Sequence, residues 1–99
     1  MAQYPLAPIP GGTTNTLDIT AATVIKGSPG RVWTVSVIVA GSTAGAVYDS
    51  ISATGNTVAN QIGVVPDTAA APISFNAFPC LIGIVVAPGT GQTLSIAWS

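Results

Sequence analysis

The sequence predicts an all-β protein, either a single-domain antiparallel β-sandwich or a jelly-roll-like domain, with an extended Pro-rich N-terminal arm. One third of the 99 residues are Val, Ile or Thr, whereas Leu occurs only four times. β-Branched residues pack well on a pleated sheet and lose rotamer freedom in a helix. Turn signals rich in Gly and Pro separate seven or eight short apolar segments, as in a two-sheet sandwich. The length fits one domain with its own core.

The first twelve residues differ from the rest, and we assign residues 1–12 to the arm and 13–99 to the sandwich domain. Proline fixes φ and biases the preceding residue toward extended geometry, so this segment is predicted to be polyproline-like and to reach roughly 30 Å. It is either a frayed end or an arm that binds a neighbouring subunit, and we favour the arm because a pre-extended segment loses less entropy on docking. The candidate interface residues are Tyr4, Pro5, Leu6, Pro8, Ile9 and Pro10.

The first half of the domain contains the clearest strand. One or two strands are expected over 17–25, ending at the turn cluster Gly27–Gly30. The segment Arg31–Ala40 alternates at a period of two, which predicts a central strand with one buried and one mixed face. The expected buried face holds Trp33, Val35, Val37 and Val39, and the mixed face holds Val32, Thr34, Ser36 and Ile38. A loop over Gly41–Gly45 and a shorter strand over Ala46–Ser52 follow.

The middle of the chain alternates turns and short strands. Thr54–Asn56 is a turn signal, and Gln61–Val65 is predicted to be a strand. For Asp67–Ala71 two interpretations are equally favoured, one helical turn with Asp67 as its N-cap or a plain loop.

The last third predicts three strands. Pro72 and Pro79 bracket Ile73–Ala77, which indicates an edge strand. Leu81–Ala87 is nearly all apolar and is expected to be central, and Pro88–Gly91 is expected to be a hairpin-type turn. The final strand places Leu94, Ile96 and Trp98 on one face. We expect both tryptophans, Trp33 and Trp98, to lie in the core rather than to form a sugar-stacking platform.

The charge inventory excludes several classes of function. Five residues are charged, giving a net charge of -1, and there is no His. Two cations cannot neutralise enough phosphates for ordinary nucleic-acid binding, nor can they form the basic patch of a peripheral membrane protein. The scattered Asp residues encode no metal loop, and no His is available for acid–base work. We therefore expect no enzyme activity, no cofactor and no metal site. The charged residues are Asp18, Lys26, Arg31, Asp49 and Asp67.

Membrane and redox signals are weak. The uncharged run Val32–Tyr48 is near membrane-spanning length, but it contains Ser, Thr and Gly and alternates at a strand period, so we expect no membrane span. The N-terminus lacks a basic segment followed by an apolar stretch, so no signal peptide is expected. Cys80 is the only cysteine, which excludes an intrachain disulfide, and its apolar neighbours predict a buried small hydrophobe.

The low charge content itself indicates assembly. Charged residues make up 5% of the chain, whereas roughly 25% is typical of soluble domains. A near-neutral surface rich in hydroxyl groups promotes association and suits burial between subunits. Contacts of that kind are insensitive to salt because they contain few exposed ion pairs to screen.

Two stretches carry a resemblance to small structural proteins encoded beside the capsid genes of tailed bacteriophages. One is Phe78-Pro-Cys-Leu-Ile-Gly-Ile followed by Pro88–Ser99, and the other is Ala22–Val37 continuing to Gly45–Asp49. The resemblance spans Asp18–Ser99 and consists of strand and turn patterns without catalytic content. It implies a head decoration (cement) protein or head fibre base, commonly a homotrimer, that binds the major capsid protein on the outer shell of the virion and is made in the host cytoplasm. The arm lies outside this resemblance.

Two other functions remain open from the sequence. A carbohydrate- or receptor-binding module, such as a fibre tip, would present exposed aromatic side chains in a shallow groove. A self-assembling coat or tail-tube subunit would polymerise without a partner.

Overall fold

The computed structural model describes residues 13–68 and 72–99, which form a sandwich of two antiparallel four-stranded sheets. The predicted all-β sandwich is thus confirmed. The arm and its six candidate interface residues lie outside the described residues, and so does the second half of the segment 67–71, for which a helical turn or a loop was expected.

In the described part of the chain, eight strands build the two sheets. The first sheet has the order β1-β8-β3-β6 and the second has the order β2-β7-β4-β5. A short 3-10 turn at Val58–Asn60, capped by Thr57, precedes β5. The strands are β1 Thr14–Ile19, β2 Thr23–Lys26, β3 Gly30–Val39, β4 Gly45–Tyr48, β5 Gln61–Val65, β6 Ile73–Cys80, β7 Ile84–Ala87 and β8 Thr93–Trp98.

The core is a layer of aliphatic side chains between the sheets. β8 contributes Leu94 and Ile96 at alternate positions, and Trp98 packs against the same cluster from the end of the strand. The inward phase predicted for β8 is therefore confirmed. Facing strands supply mostly valines, whose burial stabilises the fold by roughly 1.5–3 kcal/mol each. The buried cluster is Ile19, Val32, Val35, Val37, Val47, Val65, Cys80, Ile84, Val86, Leu94 and Ile96.

The predicted faces of β3 are wrong at both ends of the strand. Val35 and Val37 are buried as expected, but Trp33 is 38% exposed and Val39 is also exposed. The pairing register shifts between Val32 and Thr34 and again between Val37 and Val39. A bulge adds a residue to one strand and reverses the alternation beyond it. Val32 therefore points into the core and Trp33 points outward, so the core assignment of Trp33 is corrected.

Some predicted strand boundaries and one predicted turn type also change. β4 ends at Tyr48 rather than Ser52, and β7 begins at Ile84 rather than Leu81. The amides of residues 81–83 bond to the carboxylate of Asp49 instead of to a neighbouring strand, which explains the late start of β7. The segment Pro88–Gly91 is a turn, but it joins β7 to β8, which lie in different sheets, so it is not a hairpin.

The edge strands are irregular. β6 lies at an edge of the first sheet, as predicted, and contains Pro79 together with positive φ angles at Asn76 and Ala77. β1, at the other edge, has a register shift next to Asp18, whose φ is also positive. Bulges and prolines on edge strands prevent pairing with another chain. Contacts with other molecules are therefore expected through faces and loops.

The two ends of the sandwich are occupied by different segments. Thr14, where β1 begins, pairs with Trp98 near the C-terminus, and Gly30 pairs with Cys80. The loops that follow β4 and β6 lie at this same end, which we call the arm end because residues 1–12 enter the fold here. The segments joining β3 to β4 and β7 to β8 lie at the opposite end.

Candidate interaction surfaces

The exposed surface of the described residues includes many large apolar side chains. Isolated exposed hydrophobic residues are normal on soluble proteins, so their clustering decides whether they mark a site. Three surfaces qualify, and they lie at the arm end and on the outer faces of the two sheets. The exposed large hydrophobic residues are Leu17, Val24, Trp33, Ile38, Val39, Ile51, Val58, Val64, Phe78, Leu81 and Ile82.

The apolar end surface consists of Ile51, Leu81 and Ile82, which are 58%, 78% and 54% exposed. The two loops that present these residues touch, because Ile51 Cγ2 lies 2.8 Å from the position that a Cβ on Gly83 would occupy. The same position is 2.6 Å from the Ser50 carbonyl oxygen, so only glycine fits there. Leu81 and Ile82 were predicted to begin a central strand, and the structure places them in this exposed loop instead.

A single carboxylate holds the apolar end surface in place. Asp49 accepts hydrogen bonds from the backbone amides of Leu81 at 3.0 Å, Ile82 at 2.8 Å and Gly83 at 3.2 Å. The Ser50 amide donates to the Gly83 carbonyl at 3.3 Å, which ties the loops together a second time. Burial alone would raise the pKa of Asp49, but the three amide bonds together outweigh it and hold that pKa below its usual value.

Replacing Asp49 with asparagine is expected to lower the free energy of unfolding near neutral pH. It is also expected to remove part of the stability loss that the wild type shows on acidification. A carboxylate with a lowered folded-state pKa binds fewer protons when folded, so its stabilisation is present above about pH 4 and is lost as the pH falls through the folded-state pKa. Urea unfolding from acid to neutral pH measures this. The control Asp67→Asn leaves the three amide bonds intact and retains the full acid loss. An Asp49→Asn variant with the wild-type pH profile would contradict this role.

The second surface is the outer face of the second sheet. Val85 lies between Ile84 and Val86, both core residues, so its side chain points to the other side of the sheet, where it is nevertheless buried. Its cross-strand partners are Val24 and Tyr48, and the neighbouring row is Ala87, Ala46 and Val64. This outer face therefore carries two apolar rows without a charged residue.

The third surface is the outer face of the first sheet, which is polar but almost uncharged. Thr34 pairs with Ser74 on one side and Ala97 on the other, and Ser36 pairs with Ser95. Trp33 lies on this face and donates from Nε1 to the Ser99 hydroxyl at 3.1 Å. Arg31, at the edge of the face, donates to the Ala77 carbonyl at 3.0 Å. This face therefore presents hydroxyl groups beside a partly exposed indole, with one cation at its edge.

Gln92 organises the opposite end of the sandwich. It continues the inward row of β8 and is 1% exposed. Its Nε2 donates to the Pro66 carbonyl at 2.6 Å, and its Oε1 accepts from the Gly89 amide at 2.9 Å. Thr43 Oγ1 accepts from the Thr90 amide at 2.8 Å in the same region. The loops here are therefore fixed by polar contacts, and within the described residues no buried side-chain nitrogen or oxygen lacks a partner.

Cys80 is a buried small hydrophobe, as predicted. Its side chain belongs to the core cluster, and burial, with a smaller contribution from the charge of Asp49, raises the pKa of the thiol to about 11. Only the thiolate attacks disulfide reagents or metals. We therefore expect no reaction with a disulfide reagent at pH 8 in the native protein and complete labelling after unfolding in guanidinium. Labelling at equal rates in both states would contradict the burial of this thiol.

The sequence located these surfaces only in part. Asp49 was identified as a charged residue, but its contact with residues 81–83 joins positions more than thirty apart and has no local signal. A signal for Gln92 existed, since it shares the phase of Leu94 and Ile96, but a polar residue at the start of a strand is usually solvated. The six arm residues lie outside the described part of the chain.

Across residues 13–68 and 72–99, no group of three or more His, Cys, Asp or Glu side chains gathers where it could hold a metal ion. No helix in the described part of the chain is long and apolar enough to cross a membrane. A scan against family models and searches of the curated proteins and the solved structures found no match to this chain.

Proposed function

We propose that this protein is a non-enzymatic structural component of a virion, a decoration or cement protein on the outer surface of a phage head. Its partners are the major capsid protein and further copies of itself, in a homotrimer. The observation that supports this most is the apolar end surface, where three exposed aliphatic side chains are held by a charged residue and a glycine. Pre-ordered apolar groups lose little entropy when they are buried, which suits docking.

The mechanism is the burial of area across several capsid subunits. Each bound copy adds apolar contacts that expansion of the shell would have to break, and a trimer multiplies weak individual contacts through avidity. The scarcity of charge makes these contacts insensitive to salt. Release of the protein from heads is therefore expected to respond to denaturant more than to ionic strength.

Deletion of residues 2–12 tests the role of the arm. We expect the truncated protein to keep its fold, because the described strands begin at Thr14, but to bind heads less tightly. Purified full-length and truncated proteins are added to heads assembled without the protein, and bound copies are counted by quantitative gel and electron microscopy. Circular dichroism provides the control for folding. Equal occupancy by both proteins would exclude the arm as a docking element.

One observation favours a second function, a carbohydrate-binding module. Trp33 is exposed on a sheet face beside Thr34 and Ser99 instead of lying in the core, and aromatic rings stack on sugars. Binding of the wild-type protein to a glycan array, abolished by Trp33→Ala, would support this function. A Trp98→Phe variant is the matched control, since Trp98 packs against the core.

A further inference from the structure

We propose that residues Tyr4–Ile9 of one copy bind the apolar end surface of a neighbouring copy, so that the oligomer is held together by exchanged arms. This inference deepens the assembly role proposed above and rests on it. It joins the candidate interface that the sequence identifies to the apolar end surface, whose loop at residues 81–83 is held in place by Asp49.

The arm and the apolar end surface belong to the same end of the sandwich. The chain enters β1 at Thr14, which pairs with Trp98, and the loop carrying Leu81 and Ile82 follows directly after β6 at that end. At about 3.1 Å per residue, an arm in the predicted polyproline geometry reaches roughly 30 Å, which exceeds the width of a sheet of four strands spaced about 4.8 Å apart. An arm leaving here does not have to run along the length of the fold to find an apolar partner.

The two partners match chemically. Residues 1–12 contain no charged side chain, so the segment is buried without removing a charged side chain from water. Tyr4, Leu6 and Ile9 offer three apolar groups, and the end surface offers Ile51, Leu81 and Ile82. Because Asp49 already fixes the backbone of residues 81–83, the apolar end surface loses little conformational entropy when the arm binds.

A neighbouring copy is the favoured recipient because the arm joins one edge of the first sheet and the loop carrying Leu81 and Ile82 follows the strand at the other edge. β1 lies at one edge and β6 at the other, about 14 Å apart for strands spaced near 4.8 Å. Copies placed side by side bring the β1 edge of one next to the β6 edge of the next. A head-to-tail contact of this type forms a homotrimer when the rotation between successive copies is one third of a turn, which closes the ring. The stiffness of three prolines disfavours the reversal that binding to the arm's own copy requires.

Two variants with complementary defects test the exchange. The first variant lacks residues 2–12 and keeps the apolar end surface. The second carries Leu81→Ser and Ile82→Ser and keeps its arm. Each alone is expected to have the mass of a monomer by light scattering. When they are mixed and one is fluorescently labelled, they are expected to associate, because one supplies the arm and the other the surface. The control Leu17→Ser removes an exposed apolar group from β1, outside the apolar end surface, and is expected to remain oligomeric.

Each remaining result overturns the exchange. A monomeric wild type, or variants that keep the wild-type mass while circular dichroism shows them folded, would exclude it. Variants that become monomers but do not associate when mixed would indicate binding of the arm within its own copy. Head binding is scored separately, so an exchanged oligomer that binds no heads would refute the decoration role and leave the exchange standing.

Discussion

Replacing Gln92 with alanine is expected to lower the free energy of unfolding by about 2–4 kcal/mol. The side chain is buried and bonds to the Pro66 carbonyl through Nε2 and to the Gly89 amide through Oε1. Truncation removes both hydrogen bonds, which leaves the Pro66 carbonyl and the Gly89 amide unsatisfied. It also opens a cavity between the sheets. For a domain of this size, a loss of 1 kcal/mol lowers Tm by roughly 4–8 °C, so the expected decrease is large.

Urea unfolding followed by tryptophan fluorescence measures this loss. Gln61→Ala is the matched control, because Gln61 is only half-buried and its amide makes one side-chain bond, to the Gly63 carbonyl at 3.3 Å. We expect the control to lose less than about 1 kcal/mol. Similar losses for the two variants would show that Gln92 does not hold the opposite end of the sandwich together.

Replacing Gly89 with alanine is expected to destabilise the protein by about 3 kcal/mol or more. A Cβ at this position would overlap the backbone carbonyl of Thr43, and a backbone atom cannot move aside by changing rotamer. Relief requires the loops joining β3 to β4 and β7 to β8 to separate, which also breaks the bond from the Thr90 amide to Thr43 Oγ1.

Gly27→Ala is the matched control, because a Cβ there meets nothing within 4 Å. The control is expected to unfold within about 1 kcal/mol of the wild type. Thermal melts and resistance to limited proteolysis distinguish the two variants, and the Gly89 variant is expected to be cut in the loops at the opposite end. A Gly89→Ala protein as stable as the Gly27→Ala protein would contradict the close approach of these loops.

Periodicity and flanking turn signals predicted several strands correctly. The inward row Leu94, Ile96 and Trp98 follows a strict period of two, and β8 is central and pairs with β1 and β3. The predicted bounds of β5, Gln61–Val65, are confirmed, as is the edge position of β6, which its flanking prolines indicated.

The errors have two physical causes. Bulges shift the register, and the two in β3 turned Trp33 and Val39 away from the predicted buried face. Long-range polar contacts also decide where strands begin. The apolar run Leu81–Ala87 predicts one strand. However, the Asp49 carboxylate accepts hydrogen bonds from the amides at the start of this run, and Leu81 and Ile82 lie in an exposed loop.

For the candidate surfaces too, the sequence predicted some properties and not others. Composition predicted a surface poor in charge and suited to subunit contacts, because counting residues requires no knowledge of pairing. It did not predict which apolar residues are exposed, since Ile82 and Ile84 look alike in sequence and differ only in the loop or strand that carries them. The location of the apolar end surface therefore emerges only from the fold.

The mass of the purified protein in solution, measured by light scattering at low and high salt, tests the central claim most directly. We expect a homotrimer, three times the 9.8 kDa of one chain, whose mass does not change between about 0.05 M and about 1 M salt. Apolar burial between copies gives this insensitivity. A monomer at both salt concentrations, or an oligomer that dissociates as salt rises, would contradict assembly through uncharged surfaces.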